Sequence, residues 1–198
     1  FIYEVIGLIV IIFSPLIILF RIITGKEDPK RFFEKYCLYN NKFNNKTTIW
    51  LHGASVGEIL SIIPIVKKLE KNKKIKRILI TSSTTSSSLI LSRYKFKKII
   101  HKYFPIDTNY LSNKFIKIWK PKLAIFIESE IWPNMFKNLN KNKIPIILLN
   151  ARITKKSYIR WKKLPNFSKI IFNNISLAMP QNLQTFNYLK LLGVKNIK

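Results

Sequence analysis

The 198-residue chain predicts an α/β domain, a parallel β-sheet covered by helices on both faces. Three observations predict it. From residue 47 onward, short β-branched and aliphatic runs alternate with stretches whose apolar residues recur at helical spacing, as Ile59, Ile62, Val66 and Leu69 do. The aliphatic runs are continuously apolar, which is the pattern of strands buried on both faces. A helical stretch separates each run from the next, and parallel neighbours need such crossovers. Together these describe a Rossmann-like, doubly wound sheet.

The elements follow in order. Residues 1–24 carry only two charges, Glu4 and Arg21, and Val5 to Phe20 carries none. A bilayer-crossing helix needs ~17–25 such residues, so the segment is borderline. Arg21, Lys26, Lys30 and Arg31 follow directly, and this positive flank predicts a cytoplasmic location for the downstream chain. A cleaved signal peptide would want a basic start and a small-residue cleavage site, and neither is visible. Residues 1–24 are therefore expected to form a membrane-anchor or interfacial helix, with a buried core helix as the alternative. Residues 25–46 read as a polar connector with a short helical patch at Pro29–Tyr36. The domain itself is expected over 47–198. Its strands are predicted at Thr47–Leu51, Arg77–Thr81, Ala124–Ile127, Ile144–Leu149 and Leu177–Met179. Its helices are predicted at Glu58–Lys71, Ser87–Tyr94, Tyr110–Trp119, Asn134–Asn140 and Leu183–Leu192. No internal repeat is visible. The chain starts at Phe1 and stops at Lys198 just after an apolar run, so we expect a piece of a longer protein.

Composition excludes more than it identifies. Lys and Arg number 36 against 9 Asp and Glu, a net charge of +27. Such a balance suits a phosphorylated lipid, an anionic membrane or nucleic acid. It is also what an AT-rich genome writes at permissive positions, so charge alone names no partner. No RNP, helix-turn-helix or zinc-finger pattern supports a nucleic-acid partner. Cys37 is the only cysteine, which forbids an intrachain disulfide and suits a small apolar filler. His52 and His101 lack a metal-ligand grouping, so no metal is expected. Neither a GxxxxGK[ST] loop nor a GxGxxG turn occurs, so neither nucleoside triphosphate nor dinucleotide binding is indicated.

Four loops at predicted strand ends carry candidate chemistry, since ligands of open α/β sheets gather there. The first is His52-Gly53-Ala54-Ser55-Val56-Gly57-Glu58. Gly53 and Gly57 let backbone approach a ligand, and Ser55 is placed to cap the next helix. Glu58 reads either as the acid of a Ser-x-x-Glu capping box or as a general base on a hydroxyl. The second is Glu128-Ser129-Glu130-Ile131-Trp132-Pro133-Asn134. Its two carboxylates close an apolar strand, either as placed acids or as helix-terminus electrostatics. The third is Asn150-Ala151-Arg152-Ile153-Thr154-Lys155-Lys156-Ser157. There Arg152, with Thr154 and Ser157, offers a grip on phosphate or carboxylate, unless the loop is simply a solvated basic one. The fourth, Thr81 to Ser88, is a hydroxyl-rich turn that binds sugar hydroxyls or caps the next helix.

These motifs, in this order, resemble those of the Kdo transferases of lipopolysaccharide synthesis (Kdo is 3-deoxy-D-manno-octulosonic acid). The resemblance runs along nearly the whole chain: the apolar N-terminus, His52 with Ser55-Val56-Gly57-Glu58, Phe104-Pro105 with Asp107, and Glu128 with Glu130. It continues through Trp132-Pro133-Asn134, Ile144-Pro145, Asn150-Ala151-Arg152 with Ser157, Gln181 and Leu192-Gly193. It implies an inverting, metal- and cofactor-independent glycosyltransferase of the two-domain GT-B type, with this chain as the N-terminal, acceptor-binding half. It implies Glu58 as the proton acceptor and Glu128 as the transition-state stabiliser. Ser55, Gly57, Glu130, Asn150, Arg152 and Ser157 would bind substrate. The implied donor is CMP-Kdo, held by a C-terminal domain beyond Lys198, so this chain alone is not expected to catalyse. The implied acceptor is a tetraacylated lipid A precursor (lipid IVA) at the cytoplasmic face of the bacterial inner membrane. The alternative is another GT-B envelope glycosyltransferase using a different nucleotide sugar. The chain departs from the family's habits at Thr84-Thr85-Ser86-Ser87, at Ile106, at Pro180 and at Cys37, where a glycine is usual.

Overall fold

A computed structural model describes residues 2–39 and 47–198. The last seven residues of the expected connector, and Phe1 of the expected anchor, lie outside the described residues. In chain order the elements are α1 (Ile2–Ile23), a 3-10 helix (Phe32–Tyr36), β1 (Thr48–His52), α2 (Val56–Lys71), β2 (Arg77–Ser82), α3 (Thr85–Ser92) and β3 (Ile99–Tyr103). They continue with α4 (Asn109–Trp119), β4 (Pro121–Ile127), α5 (Pro133–Lys141), β5 (Ile146–Ala151), α6 (Lys155–Lys162), α7 (Pro165–Phe172), β6 (Leu177–Pro180) and α8 (Leu183–Leu192).

The strands form one parallel sheet in the order β3-β2-β1-β4-β5-β6. This is the doubly wound order, in which the direction of strand addition reverses between β1 and β4. Side chains alternate across the sheet, so each strand feeds two cores. Trp50, Leu79, Ala124, Phe126, Leu148 and Ala178 face a core completed by α4, α5, α7 and α8. Leu51, Ile78, Ile80, Ile125 and Ile127 face the other, completed by α2 and α3. Trp50 is fully buried against Phe115 and Phe126, at ring-centroid distances of 4.8 and 5.1 Å.

Three elements escape the sequence reading. β3 is half-buried and carries His101 and Lys102, so no continuous apolar run announces it. α6 buries no residue and shows no apolar stripe. α7 opens on Pro165, the first-turn position a proline tolerates. The helical patch before the domain is a single 3-10 turn.

That turn is fixed by charge rather than by apolar burial. Glu34 is buried and accepts from Arg31 at 3.0 and 3.1 Å, from Lys102 Nζ at 2.8 Å and from the Tyr103 N–H at 2.9 Å. Cys37, where a glycine would be at home, has φ 54 and ψ 39 in the left-handed region. Its buried thiol donates to the Leu111 carbonyl at 3.4 Å.

α1 lies along the domain. Tyr3 donates to Asp107 at 2.8 Å, Gly7 is buried beside Thr108, and Ser14 Oγ meets Tyr36 at 2.7 Å. The opposite face exposes Ile12, Phe13, Leu16, Ile17, Leu19, Phe20 and Ile23, each more than half bare. Among the described residues, no helix is long and apolar enough to cross a membrane.

Candidate active site

The crevice between the carboxyl ends of β1 and β4 gathers two of the sequence-predicted loops. The strands are hydrogen-bonded neighbours, with His52 opposite Phe126, and their following helices leave to opposite faces. That reversal opens the space above them.

Glu58 enters from the first turn of α2. Ser55 caps that helix, its Oγ accepting from the Glu58 N–H at 3.3 Å. The carboxylate turns back on the loop. Oε2 accepts from the Ala54 N–H at 2.8 Å and Oε1 from the Ser55 hydroxyl at 2.9 Å. The capping reading of Glu58 is therefore realised in the structure. Its environment is nevertheless not that of an ordinary cap. Burial pushes the Glu58 carboxyl above the usual carboxylate range, and the charges of Glu130 and Glu128 push the same way, against the two hydrogen bonds. Those like charges act because Glu130 and Glu128 follow β4, the strand beside β1, and so lie near Glu58.

The glycines differ in role. A Cβ on Gly53 would meet Glu58 Cβ at 3.0 Å and its carbonyl carbon at 3.4 Å, so Gly53 makes the room in which Glu58 folds back. A Cβ on Gly57 would meet nothing within 4 Å, so its surroundings are open.

Glu128 ends β4 in the left-handed region, with φ 55. A non-glycine there costs ~1–3 kcal/mol and persists only where its surroundings hold it. The hold is backbone: the Glu128 N–H donates to Leu149 at 3.0 Å, and the Arg152 N–H donates to Glu128 at 3.2 Å. Asn150 on β5 shares that geometry, with φ 51. The third loop is thus tied to the second through the Arg152 amide. The Asn150 and Arg152 side chains are exposed. Ser157 donates its N–H to Thr154, the cap of α6, at 3.2 Å.

Glu130 is held between two aromatic side chains. Trp132 Nε1 donates to Oε2 at 2.9 Å, and His52 Nε2 lies 3.1 Å from the same oxygen. His52 is completely buried and stacked on Phe104 at 4.0 Å. Trp50 Nε1 donates to Thr81 Oγ1 at 2.9 Å, and that hydroxyl lies 2.9 Å from His52 Nδ1. Nδ1 also lies 3.1 Å from the Thr81 carbonyl, so the ring is fixed on the Thr81 side through Nδ1 and turns Nε2 towards Glu130. Sequence reasoning placed His52 in the first candidate loop and set it aside as a metal ligand, but missed its contact with Glu130. No local signal reveals it, since Glu130 lies 78 residues away.

Asp107 is a clamp rather than a ligand group. Its carboxylate accepts from the Asn134 and Met135 amides at 3.1 and 2.8 Å and from Tyr3, while its carbonyl accepts from Asn134 Nδ2 at 2.8 Å. It closes the N-terminus of α5, the helix that follows the Glu128–Glu130 loop, and ties it to α1. Burial pushes the Asp107 carboxyl up, against these hydrogen bonds. In the fourth loop Thr84 caps α3, accepting from the Ser87 N–H at 3.3 Å. Among the described residues, no group of three His, Cys, Asp or Glu is arranged to hold a metal ion.

Comparison with known proteins bears on this crevice. A family model described as 3-deoxy-D-manno-octulosonic-acid transferase (kdotransferase) matches residues 30–198. A 3-deoxy-D-manno-octulosonic acid transferase of Rickettsia bellii is 38% identical over 91% of this chain and 44% of its own length. One from Haemophilus influenzae is 30% identical over 88% of this chain and 42% of its own. The chain thus spans under half the length of these curated relatives. Among solved structures, a UDP-GlcNAc 2-epimerase from Neisseria meningitidis superposes with a TM-score of 0.54 at 13% identity. It covers 76% of this chain and 46% of the epimerase. That likeness is one of fold.

Proposed function

The chain belongs to the 3-deoxy-D-manno-octulosonic-acid transferase family, and from that premise we propose that it is the acceptor-side half of an inverting Kdo transferase. The donor is CMP-Kdo, held by a nucleotide-binding half that follows this one in the whole protein. The acceptor is a tetraacylated lipid A precursor at the cytoplasmic face of the inner membrane, where the bare apolar face of α1 rests in the lipid. A helix with one face on protein and the other apolar suits an interfacial anchor.

What supports the reading is the placement of Glu58 after β1, beside β4 and the Glu128–Glu130 loop that follows it, with its proton affinity raised by burial and by those two carboxylates. A glutamate so raised is a better base at neutral pH than an exposed one. Glu58 takes the proton of the acceptor's primary hydroxyl as that oxygen attacks the anomeric carbon of Kdo. The bond to CMP breaks, CMP leaves with the electron pair, and the configuration inverts. Glu128 faces the positive charge that develops on the sugar ring. The exposed Arg152, with Asn150 and Ser157 on the neighbouring loop, meets acceptor phosphate. Ser55 and Gly57 border the open side, where the sugar enters.

The test is transfer itself. The whole protein, given CMP-Kdo labelled in the sugar and a tetraacylated disaccharide bisphosphate, is expected to form a labelled lipid. UDP-sugars are expected to give none. Transfer from a UDP-sugar and none from CMP-Kdo would overturn the donor assignment.

A further inference from the structure

We propose that the cavity between α1 and the loop joining β3 to α4 is a slot for one acyl chain of the acceptor. The inference rests on the transferase reading above and extends it to the lipid end of the substrate. The cavity measures about 260 Å³ and lies beside the crevice. Gly7 and Val10 form its α1 wall, Phe104, Pro105 and Ile106 the loop wall, and Trp132 the wall nearest the carboxylates.

Three features select an aliphatic occupant. First, most of the polar groups that reach the cavity are already engaged. Tyr3 and Asp107 bond each other, Asp107 also holds α5, Thr108 caps α4, and Lys35 pairs with Glu27. A polar ligand would find few free partners, whereas a methylene chain needs none. Second, the slot is continuous with the site. Trp132 presents its ring to the cavity and its Nε1–H to Glu130, so a chain seated there leaves its headgroup at the carboxylates. Third, the slot opens on apolar surface. Val10 is 40% exposed and borders Ile9 and Phe13 on the bare face of α1, so a chain passes from lipid to slot without crossing polar ground. Glycine at position 7 keeps the slot open, because only Thr108 comes within 4 Å of a Cβ there, at 3.4 Å.

The probe is dodecanoate brominated near its methyl end, below its micelle concentration, added to the whole protein. Bromine quenches tryptophan at contact, so saturable quenching is expected and is expected to shrink sharply in Trp132→Phe. Gly7→Leu fills the slot from α1, and Val10→Trp fills it from the exposed edge, where folding is least at risk. Both are expected to weaken binding by about tenfold or more, the loss of at least two buried methylenes. Both are also expected to erase the preference for acylated over short-chain acceptors in KM. Unsaturable quenching, or equal quenching in both filled variants, overturns the slot whatever the transferase activity. Saturable quenching without sugar transfer to any acylated acceptor overturns the transferase reading instead.

Discussion

Gly53→Ala tests the crevice through a single methyl group. The new Cβ would lie 3.0 Å from Glu58 Cβ and 3.4 Å from its carbonyl carbon. These contacts are tighter than most real Cβ contacts, and rotating the Glu58 side chain cannot relieve them, so the first turn of α2 must give by a few tenths of an ångström. Overpacking of this kind costs ~1–3 kcal/mol. The shift strains the hydrogen bonds from the Ala54 N–H and the Ser55 hydroxyl, worth about 1 kcal/mol each. For a chain of this size ~2 kcal/mol lowers Tm by about 4–8 °C. The catalytic consequence scales with the shift: a base misplaced by about 1 Å costs on the order of 100-fold in rate, so a few tenths of an ångström is expected to cost roughly tenfold or less. The assay pairs thermal unfolding with kcat/KM for Kdo transfer in the whole protein. The expected result is a small fall in Tm and a fall of roughly tenfold in kcat/KM. A Tm loss with turnover intact would leave Glu58 as a helix cap and nothing more. Wild-type values of both would refute the steric argument itself.

Three further outcomes follow from buried groups. Asp107→Ala removes the cap of α5 and the Tyr3 partner, and is expected to cost about 2–3 kcal/mol in urea unfolding; a loss below about 0.5 kcal/mol would contradict the clamp. Burial, with Arg31 and Lys102 nearby, holds the His101 imidazole down to about pH 3. The unfolded chain takes up that proton near pH 6.5, so the contribution of His101 is full above pH 6.5 and falls as pH drops towards 3. At about 1.4 kcal/mol per unit the loss reaches about 5 kcal/mol, and His101→Gln is expected to flatten the acid limb of stability against pH. An unchanged limb would show that His101 is charged in the fold. Burial pushes the Cys37 thiol up to about 12, so a disulfide reagent at pH 8 is expected to label unfolded protein at once and folded protein only through unfolding. Rapid stoichiometric labelling of folded protein would refute its burial.

What the sequence made legible was whatever is encoded by contiguous apolar residues. β1, β2, β4, β5 and β6 were each found within two or three residues, because strands covered on both faces are apolar throughout. α8 was placed at Leu183–Leu192, and in the structure Asn182 caps it and Gly193, with φ 105, ends it. β3 was invisible because its polar residues are satisfied by distant chain: Lys102 by Glu34, and His101 by Arg31 and Ser82. The same logic governs the site. Glu58, Glu128 and Glu130 were legible as acids at strand ends, and a parallel sheet requires strand ends to meet. The devices that aim them were not. His52, Thr81 and Trp50 form one hydrogen-bonded chain only after β1 and β2 pair, and Asp107 finds Tyr3 104 residues away. Gly53 was read as room for a ligand, whereas its missing Cβ is room for Glu58. The helix α1 was legible as apolar composition, but its docked face was not, because Gly7 and Ser14 carry no pattern of their own.

The most direct measurement is the pH–rate profile of the whole protein with and without Glu58. Glu58→Gln retains a capping side chain, so the fold is expected to survive with Tm nearly unchanged. Loss of the base is expected to lower kcat by about 10²–10⁴-fold. In the parent protein the rate needs the deprotonated carboxylate, whose proton affinity is raised above the ordinary value of 4.5. The acid limb of kcat/KM is therefore expected above pH 4.5 and is expected to disappear in the variant. A variant that turns over at near-parental rate with the same acid limb would contradict the account, and proton abstraction would belong to another group.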